Sequence, residues 1–340
     1  KIGMPIHLNA DFFPHSSRQE IVLKGEGHER HWNEALIFAA AAILGENLEF
    51  IRNMLGHARL WQVGADAFKL RNEGAFGAFW TQFSAAARAT ASVWTVAETW
   101  EHPGSIHMPA ESLTVNEQAA LSSLDFALIH PDLRQHWTPL SSIGVKELRL
   151  QAVVTRLVER DGEGITDDNP YLRAFWGAIS KLIAGERQRR DALFDTLCGQ
   201  LADTTFLIDM NGDAATPRQL WQSPEGVSVT AIRRLVSDCP MVHQDVLSHP
   251  EIADLIDIYG LDDFAADLAK SITSPEAAAD VVGTDPSGAQ SLYALMMRFD
   301  HETTRAGEIL ADTPMLRTKE GFVEPAKAQL PGGFEDPIGR

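Results

Sequence analysis

The sequence predicts an α+β fold: an N-terminal β-hairpin plus a long helix, followed by repeated hairpin–helix–strand–helix–helix units. Three observations predict it. Ile6, Leu8, Ala10 and Phe12 alternate with His7, Asn9 and Asp11, the period of two by which a strand buries one face. Trp32, Leu36, Ala40, Leu44, Leu48, Ile51 and Leu55 recur every three to four residues, the period that lines one face of a helix. The body then repeats itself: Asp125, Leu128, Ile129, His130 and Asp132 return as Asp238, Met241, Val242, His243 and Asp245, each 113 positions on.

Taken in order, the alternating run is interrupted at Pro14, Ser16 and Ser17, and a second short strand is expected over 21–23. Gly25 and Gly27 punctuate the exit, and the long helix begins near Glu29. An aromatic helix carries Phe76, Phe79, Trp80 and Phe83 and ends near Ala91. Residues 93–111 read as a hairpin turning at 102–105, followed by a helix near 117–123 and a strand over 126–129. A helix follows Pro131, Gly144 breaks it, and 145–158 is expected to be helical again.

The same order then recurs. Residues 206–224 form a second hairpin candidate with Asn211-Gly212 as its turn signal. Helices are expected over 230–237, 250–258 and 262–272, with a break at Gly260. Leu201-Ala202-Asp203-Thr204 recurs as Leu310-Ala311-Asp312-Thr313, announcing a third hairpin over 315–331. The polar stretches 159–170 and 273–288 are read as linkers between copies. The expected division is hairpin and long helix over 1–75, a first repeat unit over 76–168, a second over 169–285 and a partial third over 286–340.

Composition narrows the functional classes. The 340 residues suffice for two or three units, and 44% hydrophobic with 22% charged side chains is ordinary for a globular protein. With 47 acidic against 29 basic residues, a net −18, the chain lacks the basic footprint that duplex nucleic acid demands. No run of 18 apolar residues exists to span a membrane. No signal-peptide pattern follows Lys1, and the chain is expected to be a segment of a longer one. Two cysteines, Cys198 and Cys239, are too few for a disulfide framework or a four-cysteine zinc site, so a reduced, cytoplasmic setting is expected.

The opening also resembles a known family. HLNADFFPHSSR at 7–18, a hydrophobic triplet, and HWNEAL at 31–36 look like the segment after the ATPase domain of sacsin-like proteins. Those belong to the GHKL superfamily, with gyrase B, MutL, histidine kinases and the ninety-kilodalton heat-shock chaperone. Leu316, Thr318, Gly321 and Pro325 fit a hairpin that recurs in the same chains. The resemblance implies a transducer-like start, an upstream GHKL ATPase domain as partner, and ATP with magnesium bound there and not in this segment. It also implies a basic side chain reaching the γ-phosphate. Arg18 is the candidate, because a guanidinium stays charged and offers forked donors; Lys24 is second. The repeats would hold a protein client or partner, in quality control or in defence against phage. The alternative is a stand-alone interaction scaffold without an ATPase; homo-oligomerisation is compatible with both.

No catalytic motif joins these. Glu29 and Asn33 mimic the E-x-x-x-N helix of GHKL ATPases, yet neither glycine-rich companion motif nor a P-loop follows, and Asn33 is read as a helix-surface or capping residue. His28 and His31 stand three apart, with His7 and His15 nearby, but there is no H-E-x-x-H, and no metal site is expected. His130-Pro131-Asp132 has the J-domain tripeptide with the wrong flanks; Asp132 and Asp245 are expected to cap the helices that follow. Asp209, Asn211 and Asp213 imitate a calcium loop that lacks its glycine and closing glutamate, and are expected to form a turn.

Overall fold

The computed structural model describes residues 7–14, 16, 20–299 and 304–328. The fold is α+β, with helix far outweighing strand. Contacts divide the chain into two compact units, one of residues 1–156 and 177–191, the other of residues 157–176 and 192–340. This partition follows packing, whereas the recurring pattern follows sequence.

The first unit begins as two extended arms. Only an isolated bridge joins Pro14 to Ile21, with Val22 donating to the Phe13 carbonyl at 3.1 Å. The expected strands over 7–12 and 21–23 therefore do not form a ladder among the described residues. Pro14 has no N–H to extend one. The side chain of a helical residue, Asn33, supplies the pairing instead.

The expected single long helix is two. Helix α1 (His28–Glu46) ends at Asn47, whose φ of −106° and ψ of 18° leave the helical region. Helix α2 (Leu48–Lys69) is itself interrupted at Gly56, where a φ of 73° suits a residue without a Cβ. The buried stripe runs through Ile37, Ala41, Leu44 and Leu48, one position off the expected Trp32, Leu36 and Ala40. Trp32 is 51% exposed because its indole bonds the Asp11 carbonyl at the surface, at 2.9 Å.

Helix α3 (Gly77–Ala89) packs Phe79 and Phe83 fully inside. A Cβ on Gly64 of α2 would meet the Phe83 ring at 2.6 Å, so only glycine admits that ring there. Strands β1 (Val93–Trp94) and β2 (Trp100–Glu101) make the first hairpin, in the register Val93 to Glu101. Its turn is therefore 95–99, closed by Thr95 and Thr99, whose hydroxyls lie 2.9 Å apart, and not the expected 102–105, where Pro103 starts a 3₁₀ turn. Strand β3 (Ile106–Pro109), helix α4 (Val115–Ser122), β4 (Ala127–Leu128), a 3₁₀ turn (Pro131–His136), α5 (Trp137–Ser142) and β5 (Lys146–Leu148) follow. They build a parallel sheet in the order β4-β3-β5. The expected helix over 145–158 thus begins later, as α6 (Leu150–Arg160), because β3 captures 146–148 by a pairing that local periodicity cannot report.

The first core joins Ile37, Leu60, Trp61, Phe79, Phe83, Val93, Ile106 and Leu140. Helix α7 (Leu172–Arg189) adds its later turns to this unit, burying Ala178, Ile179, Leu182 and Ile183 and pairing its charged side chains. Glu186 is 2% exposed and lies 3.3 Å from both Arg149 and Arg189, while Lys181 pairs with Glu117 at 2.7 Å.

The second unit repeats these parts. Helix α8 (Phe194–Ala202) precedes the hairpin of β6 (Leu207–Ile208) and β7 (Ala214–Ala215), with Asn211-Gly212 in its turn. A Pro217-led 3₁₀ turn leads to β8 (Trp221–Gln222), then α9 (Val229–Leu235), α10 (Pro250–Ala253) and β9 (Asp257–Ile258). Strand β8 pairs in parallel with β9 and, at Trp221, with Met241. The expected helix over 250–258 therefore stops at Ala253 for the same reason as before: a strand pairing claims its end.

Helix α11 (Leu261–Ser271) is followed by α12 (Pro275–Val282) and α13 (Pro286–Met296), so the stretch expected as a linker over 273–288 is mainly helical. Its polar and proline content is a pair of helix starts, with Ser274 and Asp285 as caps and Pro275 and Pro286 in the first turns. Helix α14 (Ala306–Ile309) and the hairpin of β10 (Leu316–Thr318) and β11 (Gly321–Val323) complete the described chain. The second core gathers Ile232, Tyr259, Phe264, Leu268, Leu292 and Phe322.

Each hairpin is anchored alike. A ring on the second helix back donates to the carbonyl just before the first strand: Trp61 to Ser92 at 3.0 Å, Trp176 to Phe206 at 2.9 Å, and Tyr293 to Met315 at 3.1 Å. A proline-led 3₁₀ turn follows each hairpin, at Pro103, Pro217 and Pro325.

Candidate functional site

Among the described residues, two places gather the side chains that the sequence singled out. The first is the clamp at the start of the chain. Asn33 is fully buried; its Oδ1 accepts the Phe13 N–H at 2.8 Å, and its Nδ2 donates to the carbonyls of Phe13 at 2.8 Å and Val22 at 3.0 Å. The reading of Asn33 as a surface or capping residue is corrected, since the amide substitutes for the ladder that the two arms lack. Phe13, His28, His31, Trp32 and Ala35 line a shallow depression of about 440 Å³ beside it. Phe13 meets the His28 ring edge-on at 5.6 Å. Lys24 is exposed on the bend after Val22 and Leu23. Arg18 and His15 lie outside the described residues.

The second place is the corner that each H-x-D repeat makes. His130 has φ −61° and ψ 138°, and His243 has the same values. Each imidazole Nδ1 accepts from the amide two residues on, Asp132 at 3.3 Å and Asp245 at 3.2 Å. The histidines are therefore the caps, correcting the expectation that Asp132 and Asp245 fill that role. The aspartates lie in the first turn, where their carboxylates remain free for other partners. The backbone fastens both corners to the hairpins: His130 donates to Trp94 at 2.9 Å, and His243 to Ile208 at 3.2 Å.

What faces the carboxylate differs. In the second copy Arg173 bonds Asp245, and that bond, followed by the guanidinium charge, holds the Asp245 carboxyl below its ordinary range. In the first copy His57 does so, its Nε2 3.4 Å from Asp132 Oδ2, with His130 Nδ1 3.6 Å from the same oxygen. His57 stacks flat on Trp94, centroids 5.7 Å apart at 5°, and its ring centroid is 4.8 Å from that of His130. The ligand atoms of His57, His130 and Asp132 all fall within 4.8 Å of one another, and among the described residues this is the set able to share a metal ion. His28 and His31 are exposed and do not join it.

Sequence reasoning singled out His130 and Asp132 but missed His57. The signal was there in outline: Trp61 and Trp176 hold equivalent posts, so the residue about one turn ahead of each is the one that faces its H-x-D corner. The calcium-like triplet folds as expected into a turn, with Asp209 Oδ1 accepting from Asn211 N–H at 2.7 Å and from Asp213 N–H at 2.9 Å.

Comparison with protein-family models, with curated proteins and with solved structures finds no match to this chain.

Proposed function

We propose that this chain is the non-catalytic middle and repeat region of a larger sacsin-like GHKL ATPase, coupling nucleotide state to the binding of a protein client or partner. The observation that supports the reading is the Asn33 clamp. The two motif halves that carry the resemblance, DFFP and WNEAL, are far apart in sequence, yet Asn33 and Trp32 of the second bond Phe13 and Asp11 of the first. Such a clamp ties Phe13 and Val22, the described residues on either side of Arg18 in sequence, to α1, a route by which a γ-phosphate contact made by Arg18 would be relayed to a helix. ATP and magnesium belong to the upstream domain in this reading, and the setting is cytoplasmic. No helix among the described residues is long and apolar enough to cross a membrane. A second reading, an interaction scaffold with no ATPase, draws support from the threefold hairpin anchoring, which serves binding whether or not a nucleotide is sensed.

The coding sequence upstream of Lys1 distinguishes the two, since the leading reading requires GHKL motifs there. In the full-length protein, Arg18→Ala is expected to slow ATP hydrolysis by about tenfold or more, with Lys24→Ala milder. An upstream region without those motifs would overturn the coupling reading, and an unchanged rate in Arg18→Ala would retire Arg18.

A further inference from the structure

We propose that His57, His130 and Asp132 form a binding site for one borderline divalent transition-metal ion, of which zinc is the type. The inference is independent of the coupling reading above and rests on the geometry of this corner.

Ligand spacing is the first argument. Two donors on a tetrahedral ion, each about 2.0–2.1 Å from it, stand about 3.3–3.5 Å from one another. Asp132 Oδ2 is 3.4 Å from His57 Nε2 and 3.6 Å from His130 Nδ1, so one carboxylate oxygen already faces both imidazoles at that spacing. Metal on His130 Nδ1 would replace only the long 3.3 Å bond that this nitrogen accepts from Asp132 N–H.

The second copy supplies the other argument. There the same H-x-D corner receives Arg173, a permanent cation, against Asp245. In the first copy the cation's post is held by a side chain that is a metal ligand when neutral. The carboxylate is retained, the guanidinium is not, and a bound cation supplies the charge that the second corner builds in.

The ligands are also preorganised. His57 follows Gly56, whose φ of 73° sets the last stretch of α2 at its own angle, and its ring lies flat against Trp94. The carbonyl of the same Trp94 fixes the backbone of His130 at 2.9 Å. One residue thereby orients the His57 imidazole and fixes the backbone that carries the His130 one. Two nitrogens and one carboxylate oxygen suit zinc, cobalt, nickel or iron(II); calcium and magnesium demand oxygen sets. The Asp132 side chain is 61% exposed, so water completes the coordination.

The test uses untagged, chelator-treated protein titrated with Co²⁺ under visible absorption, followed by Zn²⁺ competition. The expected result is one Co²⁺ per chain with the ligand-field bands of a bound ion, displaced by Zn²⁺. Asp132→Asn is expected to weaken binding at least about tenfold. His57→Arg, which copies the second corner and restores a pair to Asp132, is expected to abolish it while circular dichroism stays unchanged. His31→Gln is expected to bind as the parent does. Absence of stoichiometric Co²⁺ binding, or equal affinity in the parent, Asp132→Asn and His57→Arg proteins, would overturn the proposal.

Discussion

Asn33 and Phe13 exchange two hydrogen bonds, Phe13 N–H to Oδ1 and Nδ2 to the Phe13 carbonyl, both 2.8 Å long. A side-chain amide thus does from a helix what the next strand of a ladder would do. The remaining Nδ2 bond to Val22 draws in the second arm.

Removing that amide takes the partner from the Phe13 N–H and the Val22 carbonyl and leaves the Phe13 carbonyl with the Val22 N–H alone. Asn33→Ala is expected to lower stability by about 2–4 kcal/mol, from lost hydrogen bonds and the void together. Asn33→Asp keeps the shape but loses both donors and buries a charge, so it should be no milder. Urea denaturation gives the loss, and limited proteolysis should show cleavage between residues 7 and 27 appearing in both variants. An arm as resistant as the parent's would contradict the role assigned to Asn33.

The ring-to-carbonyl anchors should be separable by copy. Trp176→Phe removes the donor to Phe206 and leaves a space; it is expected to cost about 2–4 kcal/mol. Tyr293→Phe loses the bond to Met315 and leaves Arg317 N–H without its acceptor, at almost no change in volume, and is expected to cost about 1–3 kcal/mol. Hydrogen exchange should report the second change in β10 and β11 before the rest of the second unit.

Acid should weaken the first unit early. Burial, reinforced by Lys146, holds the His107 imidazole below its ordinary 6.5, and its buried Nδ1 finds no hydrogen-bond partner among the described residues. Burial lowers His136 as well, against the pull of Asp66 and with the help of Lys69. Asp66 itself stays ionised because bonds from Lys69 and Gln62 outweigh its burial. Since the unfolded histidines take up protons near 6.5 and the folded ones only below it, the unfolded state binds more protons in that interval. Stability is therefore full above about pH 6.5 and falls as pH drops towards the lowered folded values. His107→Phe should remove about one proton from the uptake on unfolding in that window. A denaturation series across that window measures the slope, and an unchanged slope in the variant would exclude His107.

The two thiols should react unequally. Burial pushes the Cys239 thiol up to about 11, and Tyr259 beside it is raised in turn, first by burial. Cys198 is only half-buried. Because the thiolate is the nucleophile, native protein should titrate with Ellman's reagent at Cys198 alone, with Cys239 reacting only on unfolding. Cys198→Ser should then abolish the native reaction.

Much of the architecture was legible. The 113-residue recurrence pointed to the H-x-D corners, and Asn211-Gly212 marked a real turn. The misreadings have two causes. Residues 146–148 and 257–258 continue helical patterns and become strands only because β3 and β8 lie alongside. The stretch over 273–288 looked like a linker because capping residues and prolines are the composition of loops as well as of helix starts.

By itself the sequence determined the α+β class, the threefold hairpin and the two H-x-D segments, because periodicity and turn chemistry are local properties written residue by residue. Only the tertiary structure decided that Asn33 stands in for a missing strand and that His57 and Arg173 take matching posts over Asp132 and Asp245. The physical reason is range. A carboxylate meets whatever side chain packing delivers, and the spacing of His57 from Asp132 along the chain carries no trace of the 3.4 Å that separates them in space.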